Sequence, residues 1–290
     1  MRYIKSEQFV DLSKMCTIRI GGKAKRVYFP DSPEKIKILL SESLERNKRF
    51  FPVGIGSNTV FSDGVLDHIF VSTKELKKLS IKNEGDLFYI EAEAGVSFKS
   101  IVSIVKKYNL EGFENLSGIP ATVGGATVMN AGAFGTEISD IIEKVHWISD
   151  RGEYCILERQ DIDFSYRKSP FQKKGFVYKV VLRLKKSQKD IPSIIKKHLE
   201  ERNKKQPLDY PTSGSTFKNP REYPAGYLLE QAGLKGYRIG NVAFSEKHAN
   251  FLINTGGGKF KELKKLIETA ERKIGVLYRI KLEREIEIVE

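Results

Sequence analysis

Residues 117–135 are the strongest constraint on what this chain can fold into. They read Ser-Gly-Ile-Pro-Ala-Thr-Val-Gly-Gly-Ala-Thr-Val-Met-Asn-Ala-Gly-Ala-Phe-Gly, with five glycines and no charge. Surface connections rarely run this long while staying apolar and uncharged. Such a stretch either crosses tightly between strands or wraps closely around a flat ligand, with backbone N–H groups aimed at its oxygens. The ligand reading is favoured. Ser117, Gly118, Ile119, Pro120, Thr122, Gly124, Gly125, Ala131 and Gly132 are its candidate contacts.

A second glycine loop sits upstream. The apolar run 50–53 leads from Val53 straight into Gly54-Ile55-Gly56-Ser57-Asn58. A glycine loop after a strand lets N–H groups approach a phosphate. A dinucleotide fingerprint would need glycine at 59, where Thr59 stands, so a Rossmann domain is excluded. Gly256-Gly257-Gly258-Lys259 imitates a P-loop, yet Ile253 and Phe260 occupy the positions that need glycine and Ser or Thr.

Around these loops, strand and helix signals alternate without a repeat. Ser32 and Pro33 predict a helix start, with Ile36, Leu39, Leu40 and Leu44 at helical spacing. Residues 88–94 read as a strand. Ser97 predicts the cap of a second helix with Ile101, Val102, Val105 and Tyr108 on one face. Residues 145–184 are strand-like, and 191–205 read as a polar connecting helix ending in a linker at Gln206-Pro207. A short helix is expected around 227–229, stopped by Gly233, and a longer one from Phe260 to Gly275. The apolar even positions Val276, Tyr278, Ile280 and Leu282 predict a closing strand over 276–289. This mixture is α+β. At 290 residues, two or three domains are expected, and 40% hydrophobic content rules out wholesale disorder.

Charge and cysteine content narrow the functional classes. Fifty basic against 37 acidic residues give a net charge of +13. The basic residues are scattered pairs among acids, with no basic arm and no aromatic–basic repeat, so nucleic acid is not the expected partner. A basic surface instead suits small anionic substrates. Cys16 and Cys155 form no framework, and the four histidines have no metal spacing, so no metal is expected. No apolar run is long enough for a membrane span, and the opening Met1-Arg2-Tyr3-Ile4-Lys5-Ser6-Glu7 lacks a signal's apolar core. A cytoplasmic setting is expected.

Two further motifs carry chemistry. In Phe164-Ser165-Tyr166-Arg167, the guanidinium fork suits a carboxylate or phosphate. From spacing alone a surface arginine is the better reading. In Gly214-Ser215-Thr216-Phe217-Lys218-Asn219-Pro220, Ser215 lacks the nucleophile-elbow context but could give a proton to a strong base formed during a reaction.

Taken together and in this order, these stretches resemble the UDP-N-acetylenolpyruvoylglucosamine reductase family. Ala-Gly-Tyr-Leu-Leu-Glu-Gln-Ala-Gly-Leu-Lys-Gly (225–236) and Lys-His-Ala-Asn-Phe (247–251) add to the likeness, which runs from about Thr17 to Ile286. The resemblance implies non-covalent FAD in a fold of two α+β subdomains, of the vanillyl-alcohol-oxidase type, with a smaller α+β substrate domain. We place these at 1–70, 71–190 and 191–290. It implies NADPH as hydride source, a UDP-sugar substrate and a monomer. It further implies Arg167, Ser215 and Glu285 as the catalytic set, both glycine stretches as flavin contacts, and Tyr166, Lys218, Asn219, His248 and Asn250 at the substrate. The chain departs from the family at Ile55 (commonly glycine), at Cys16 and Ile18 (usually Asn and Phe), and at Arg284, where proline usually precedes the glutamate. The short interval from Arg167 to Ser215 places it with the branch that lacks an inserted tyrosine loop.

Overall fold

The computed structural model describes residues 4–172 and 174–290. Of the N-terminal stretch read above, Met1, Arg2 and Tyr3 lie outside the described residues. The chain divides into two compact units. The first takes residues up to Gln8, Arg26–Gly54 and Asp67–Glu201; the second takes Phe9–Lys25, Ile55–Leu66 and Arg202–Glu290.

In the first unit, Phe50–Val53 and the part of strand Lys23–Phe29 from Arg26 onward flank Ile69–Ser72 in a parallel arrangement, with Val27 opposite Phe70 and Phe50 opposite Ile69. The helix Pro33–Glu45 starts as expected. Ser32 accepts a hydrogen bond from the Lys35 N–H at 3.5 Å, and Pro33 fills the first turn, where its missing N–H costs nothing. The unit's larger sheet is antiparallel, in the order Tyr154–Glu158, Ile142–Ile148, Phe176–Lys186, Leu87–Glu93, Leu79–Glu84. The helix Phe98–Tyr108 buries Phe98, Ile101 and Val105 in the core shared with Ile90, Val180 and Leu182. Ser97 Oγ caps it, accepting from Ser100 N–H at 3.1 Å. Strands and helices mix as the α+β reading expects.

The second unit joins segments far apart in sequence. Its antiparallel sheet runs Thr212–Ser215, Phe251–Asn254, Val242–Phe244, Arg238–Ile239. Residues 9–25 and 55–66 belong here and not with the N-terminal segment in which a contiguous reading puts them. The cause is hydrogen bonding. Ser62 N–H donates to Val289 O at 2.8 Å, Thr59–Phe61 pairs in parallel with Glu287–Val289, and Gly22 N–H donates to Ser62 O at 2.8 Å. Buried Asn254 completes the link. Its Nδ2 donates to Ile18 O (3.0 Å) and Arg19 O (3.2 Å), while its Oδ1 accepts from Gly256 N–H (3.0 Å) and Gly258 N–H (2.9 Å). The triple glycine that imitates a P-loop is therefore a turn folded around one carboxamide.

The closing strand expected over 276–289 is not formed. The helix Phe260–Tyr278 runs through Gly275 and ends at Arg279 in the left-handed region, and only Glu287–Val289 is strand. The alternation of Val276 and Tyr278 misleads because the helix's last turn is solvated, leaving Val276 77% exposed.

Because Asn254 makes four hydrogen bonds in a buried setting, Asn254→Ala should destabilise the second unit by about 3 kcal/mol. Urea unfolding checks this; a change within experimental scatter would show the carboxamide to be dispensable.

Candidate active site

In the first unit the two glycine stretches meet. A Cβ on Gly54 would stand 2.5 Å from Thr122 Oγ1, so only glycine lets the loop lie against that hydroxyl. The 117–135 stretch is not continuous loop. It contains the helix Val123–Met129, which Thr122 caps by accepting from Gly125 N–H at 3.3 Å. Gly124 packs on Ala94, its N–H donating to Ala94 O at 3.0 Å. Ser117 Oγ donates to Glu114 O at 2.7 Å, and Ile119 N–H to Leu116 O at 3.0 Å. Several of these glycines thus satisfy close packing as well as any ligand.

Asn130, fully buried, ties this stretch to the turn that carries Arg167. Its Nδ2 donates to Glu137 Oε2 (2.6 Å) and to Ser165 O (3.0 Å). Ser165 and Lys168 exchange backbone hydrogen bonds of 3.1 and 2.9 Å across a four-residue turn. Arg167 occupies it at φ 55°, a left-handed conformation that costs a non-glycine residue on the order of 1 kcal/mol. Arg167 Nη2 donates to Gly132 O at 2.9 Å, and Gln172 Nε2 donates to Arg167 O at 3.1 Å. A Cβ at 132 would stand 2.8 Å from Thr136 O and 3.0 Å from Glu137 Cγ, with Arg167 Nη1 next at 3.2 Å, so packing against the following turn demands glycine there. The half-exposed Tyr166 ring lies 5.1 Å from the same guanidinium carbon.

In the second unit, Ile55, Gly56, Ser57 and Asn58 present N–H groups that donate to no protein acceptor among the described residues. This row of unused donors fits the oxygen-rich phosphates of a dinucleotide cofactor. Gly56 has φ 64°, and a Cβ there would stand 2.1 Å from Met15 O, so packing alone already demands glycine. Ile55, where the family usually has glycine, is exposed. Cys16 is buried beside this loop. Its Sγ–H donates to Ile20 O at 3.2 Å, and burial pushes the thiol's pKa up, leaving it unreactive.

The strand Thr212–Ser215 pairs irregularly with Phe251–Asn254, with Gly214 at φ 80° absorbing the kink. Ser215 is half-buried, and its hydroxyl has no hydrogen-bond partner among the described residues. Glu285 is brought to the adjoining residue, its N–H donating to Thr216 O at 2.9 Å and its carbonyl accepting from Asn58 Nδ2 at 2.9 Å. Lys218 N–H donates to Glu283 O at 2.8 Å, and its ammonium pairs with the Glu283 carboxylate. Ser215, Glu285, Lys218 and Asn58 therefore share one strand junction.

The remaining expected substrate residues have protein partners. Asn250 clamps Phe217, its Oδ1 accepting from Phe217 N–H (3.0 Å) and its Nδ2 donating to Phe217 O (2.8 Å). Asn219 Oδ1 accepts from Ala225 N–H at 3.0 Å. His248 Nδ1 accepts from Asn250 N–H at 3.2 Å, and burial holds the ring's pKa down, so the imidazole is neutral at neutral pH. These side chains support the loop that carries Ser215 and Lys218. Among the described residues, four buried side-chain polar atoms lack protein partners, all in the second unit: Arg202 Nε, Gln206 Oε1, Ser213 Oγ and Thr216 Oγ1. Each costs about 1–3 kcal/mol unless something outside the protein's own atoms meets it. No cluster able to hold a metal occurs among the described residues.

Comparison with known proteins decides what this arrangement belongs to. Residues 206–289 match the family described as UDP-N-acetylenolpyruvoylglucosamine reductase, C-terminal domain, and residues 24–158 match an FAD binding domain. A protein of that reductase name from Aquifex aeolicus is 43% identical over 97% of this chain and 94% of its own length. The chain belongs to the UDP-N-acetylenolpyruvoylglucosamine reductase family. Another reductase of the family, from Thermotoga maritima, is 37% identical over 97% of each chain. The crystal structure of the reductase from Thermus caldophilus superimposes with a TM-score of 0.82, at 28% identity, covering 99% of both chains. The reductase family's fold thus extends over the whole length described here.

Since Asn250 fixes both backbone ends of Phe217, Asn250→Ala should lower stability by about 2 kcal/mol through the orphaned Phe217 N–H and C=O. Denaturant unfolding reads the loss; an unchanged midpoint would remove Asn250 from the support of this loop.

Proposed function

We propose that this protein reduces the enolpyruvyl group of UDP-N-acetylglucosamine enolpyruvate to give UDP-N-acetylmuramate in peptidoglycan synthesis, with FAD as cofactor and NADPH as reductant. The observation that carries the reading is Ser215: a half-buried hydroxyl with no protein partner, one residue from the backbone bond that holds Glu285. FAD, when bound, supplies the hydride. Its proposed contacts are Val53, Gly54, Ile55, Gly56, Ser57, Asn58 and the 117–132 stretch.

The protein's residues supply the rest. Hydride addition to the terminal carbon of a vinyl ether bearing a carboxylate leaves negative charge spread onto the carboxylate oxygens. Arg167 would bind those oxygens with paired N–H donors, and every ~1.4 kcal/mol of such stabilisation is a tenfold gain in rate. Ser215 would then donate its proton to the internal carbon. A hydroxyl is a weak acid, but an enediolate carbon is a strong base, so placement matters more than pKa. Lys218 would steady the transient alkoxide through its ammonium. Glu285 would hold the carboxyl group through a shared proton. Tyr166 would line the substrate's approach. The net charge of +13 suits two diphosphate ligands. A single chain acting in the cytoplasm is the proposed working unit; no helix of the described residues is long and apolar enough to cross a membrane.

Ser215→Ala should leave reduction of the flavin by NADPH nearly intact while slowing its reoxidation by the enolpyruvyl substrate at least about 10³-fold. Anaerobic stopped-flow absorbance separates the two steps, and an equal loss in both would remove Ser215 as proton donor. Arg167→Lys should slow the reoxidation step about 10²-fold, because a point charge cannot replace the planar fork. Normal turnover in that variant would contradict the role.

A further inference from the structure

Between the helix end at Tyr278 and the strand Glu287–Val289, the chain forms no strand or helix. This run carries Glu285. It borders an open cleft of about 990 Å³, lined by Glu271 and Gly275 of the helix and by Arg279 to Arg284 of the run itself. A segment beside such a space has room to move. Its inner side is anchored by Leu282 and Ile286, both 4% exposed, and by the two backbone hydrogen bonds to Thr216 and Lys218. Those two bonds make Phe217 and Arg284 the opposed pair that exchanges no hydrogen bond of its own.

The Arg284 side chain reaches across to the helix Phe260–Tyr278 and grips Glu271 with a two-pronged fork. Nε donates to Oε1 at 2.5 Å and Nη2 to Oε2 at 2.8 Å. Neither group is fully solvated, with side-chain exposures of 38% and 28%. Exposed single-pronged ion pairs contribute little, but a bidentate guanidinium–carboxylate pair fixes direction as well as distance.

We infer that the Arg284–Glu271 fork is a positioning device for Glu285: it ties the residue next to Glu285 to the helix Phe260–Tyr278 and limits how far the segment can shift toward the cleft. The inference rests on the proposed role of Glu285 in the reduction. It explains how a chain with arginine at 284 can hold this segment. The Arg284 N–H takes no part in the bonds to Thr216 and Lys218, so proline at this position would fix φ without removing either of them.

The test uses the holoenzyme in anaerobic stopped-flow, with Lys235→Gln, which breaks the exposed Lys235–Glu230 pair, as control. Glu271→Gln and Arg284→Gln should each slow flavin reoxidation by saturating enolpyruvyl substrate about tenfold, leaving reduction by NADPH unchanged. The double variant Glu271→Gln/Arg284→Pro should recover to within about twofold of wild type, because proline restores the constraint without the pair. Wild-type rates in both single variants, equal loss in both half-reactions, or failure of proline to recover the rate would each overturn the positioning role. A wild-type protein whose reduced flavin ignored the enolpyruvyl substrate would instead overturn the proposed function, so the two failures are distinct.

Discussion

Two backbone hydrogen bonds, from Glu285 N–H to Thr216 O and from Lys218 N–H to Glu283 O, hold the second unit's chemistry in one place. They join a strand edge to a C-terminal segment some 70 residues later. They set Ser215 and Lys218 beside the segment that carries Glu285. Neighbouring bonds reinforce the junction: Asn58 binds Glu285 O and receives Glu287 N–H, and Asn250 grips Phe217 from both ends. Side-chain amides dominate because each can donate and accept, matching an irregular backbone that no regular ladder would satisfy. The first unit uses the same device, where Asn130 links the glycine-rich stretch to the turn of Arg167.

Local signals in the sequence were legible. Ser32 with Pro33 and Ser97 mark real helix starts, because an N-cap is decided by residues within one turn. The glycine stretches stand out in the sequence, and part of what demands glycine there is packing. Gly54 and Gly124 are required by Thr122 and Ala94, and Gly56 by Met15, whatever ligand lies nearby. The short helix Val123–Met129 was hidden, since Val-Gly-Gly-Ala-Thr-Val-Met has no amphipathic period and two glycines that weaken helix propensity.

Long-range organisation was not legible. Nothing local says that Ser62 bonds to Val289, or that Asn254 reaches Ile18, yet these bonds decide which segments fold together. The closing segment failed for a different reason. Gly275 reads as a stop, but a glycine inside a helix costs only about 1 kcal/mol, which the buried face from Phe260 to Ile274 outweighs. At the site, Asn219, His248 and Asn250, which the resemblance implies at the substrate, each have a hydrogen-bond partner within the protein. Residue type and order identify a family more readily than they divide its members into those that touch a ligand and those that hold the loop.

The account's central claim is that this chain passes reducing equivalents from NADPH to the enolpyruvyl sugar nucleotide through a bound flavin. The visible absorbance of the purified wild-type protein, followed without oxygen, tests it most directly. The account expects a yellow protein that bleaches on adding NADPH, stays bleached with UDP-N-acetylglucosamine, and regains its colour when the enolpyruvyl derivative is added. A colourless protein, or a bleached one that the enolpyruvyl derivative leaves unchanged, would contradict it.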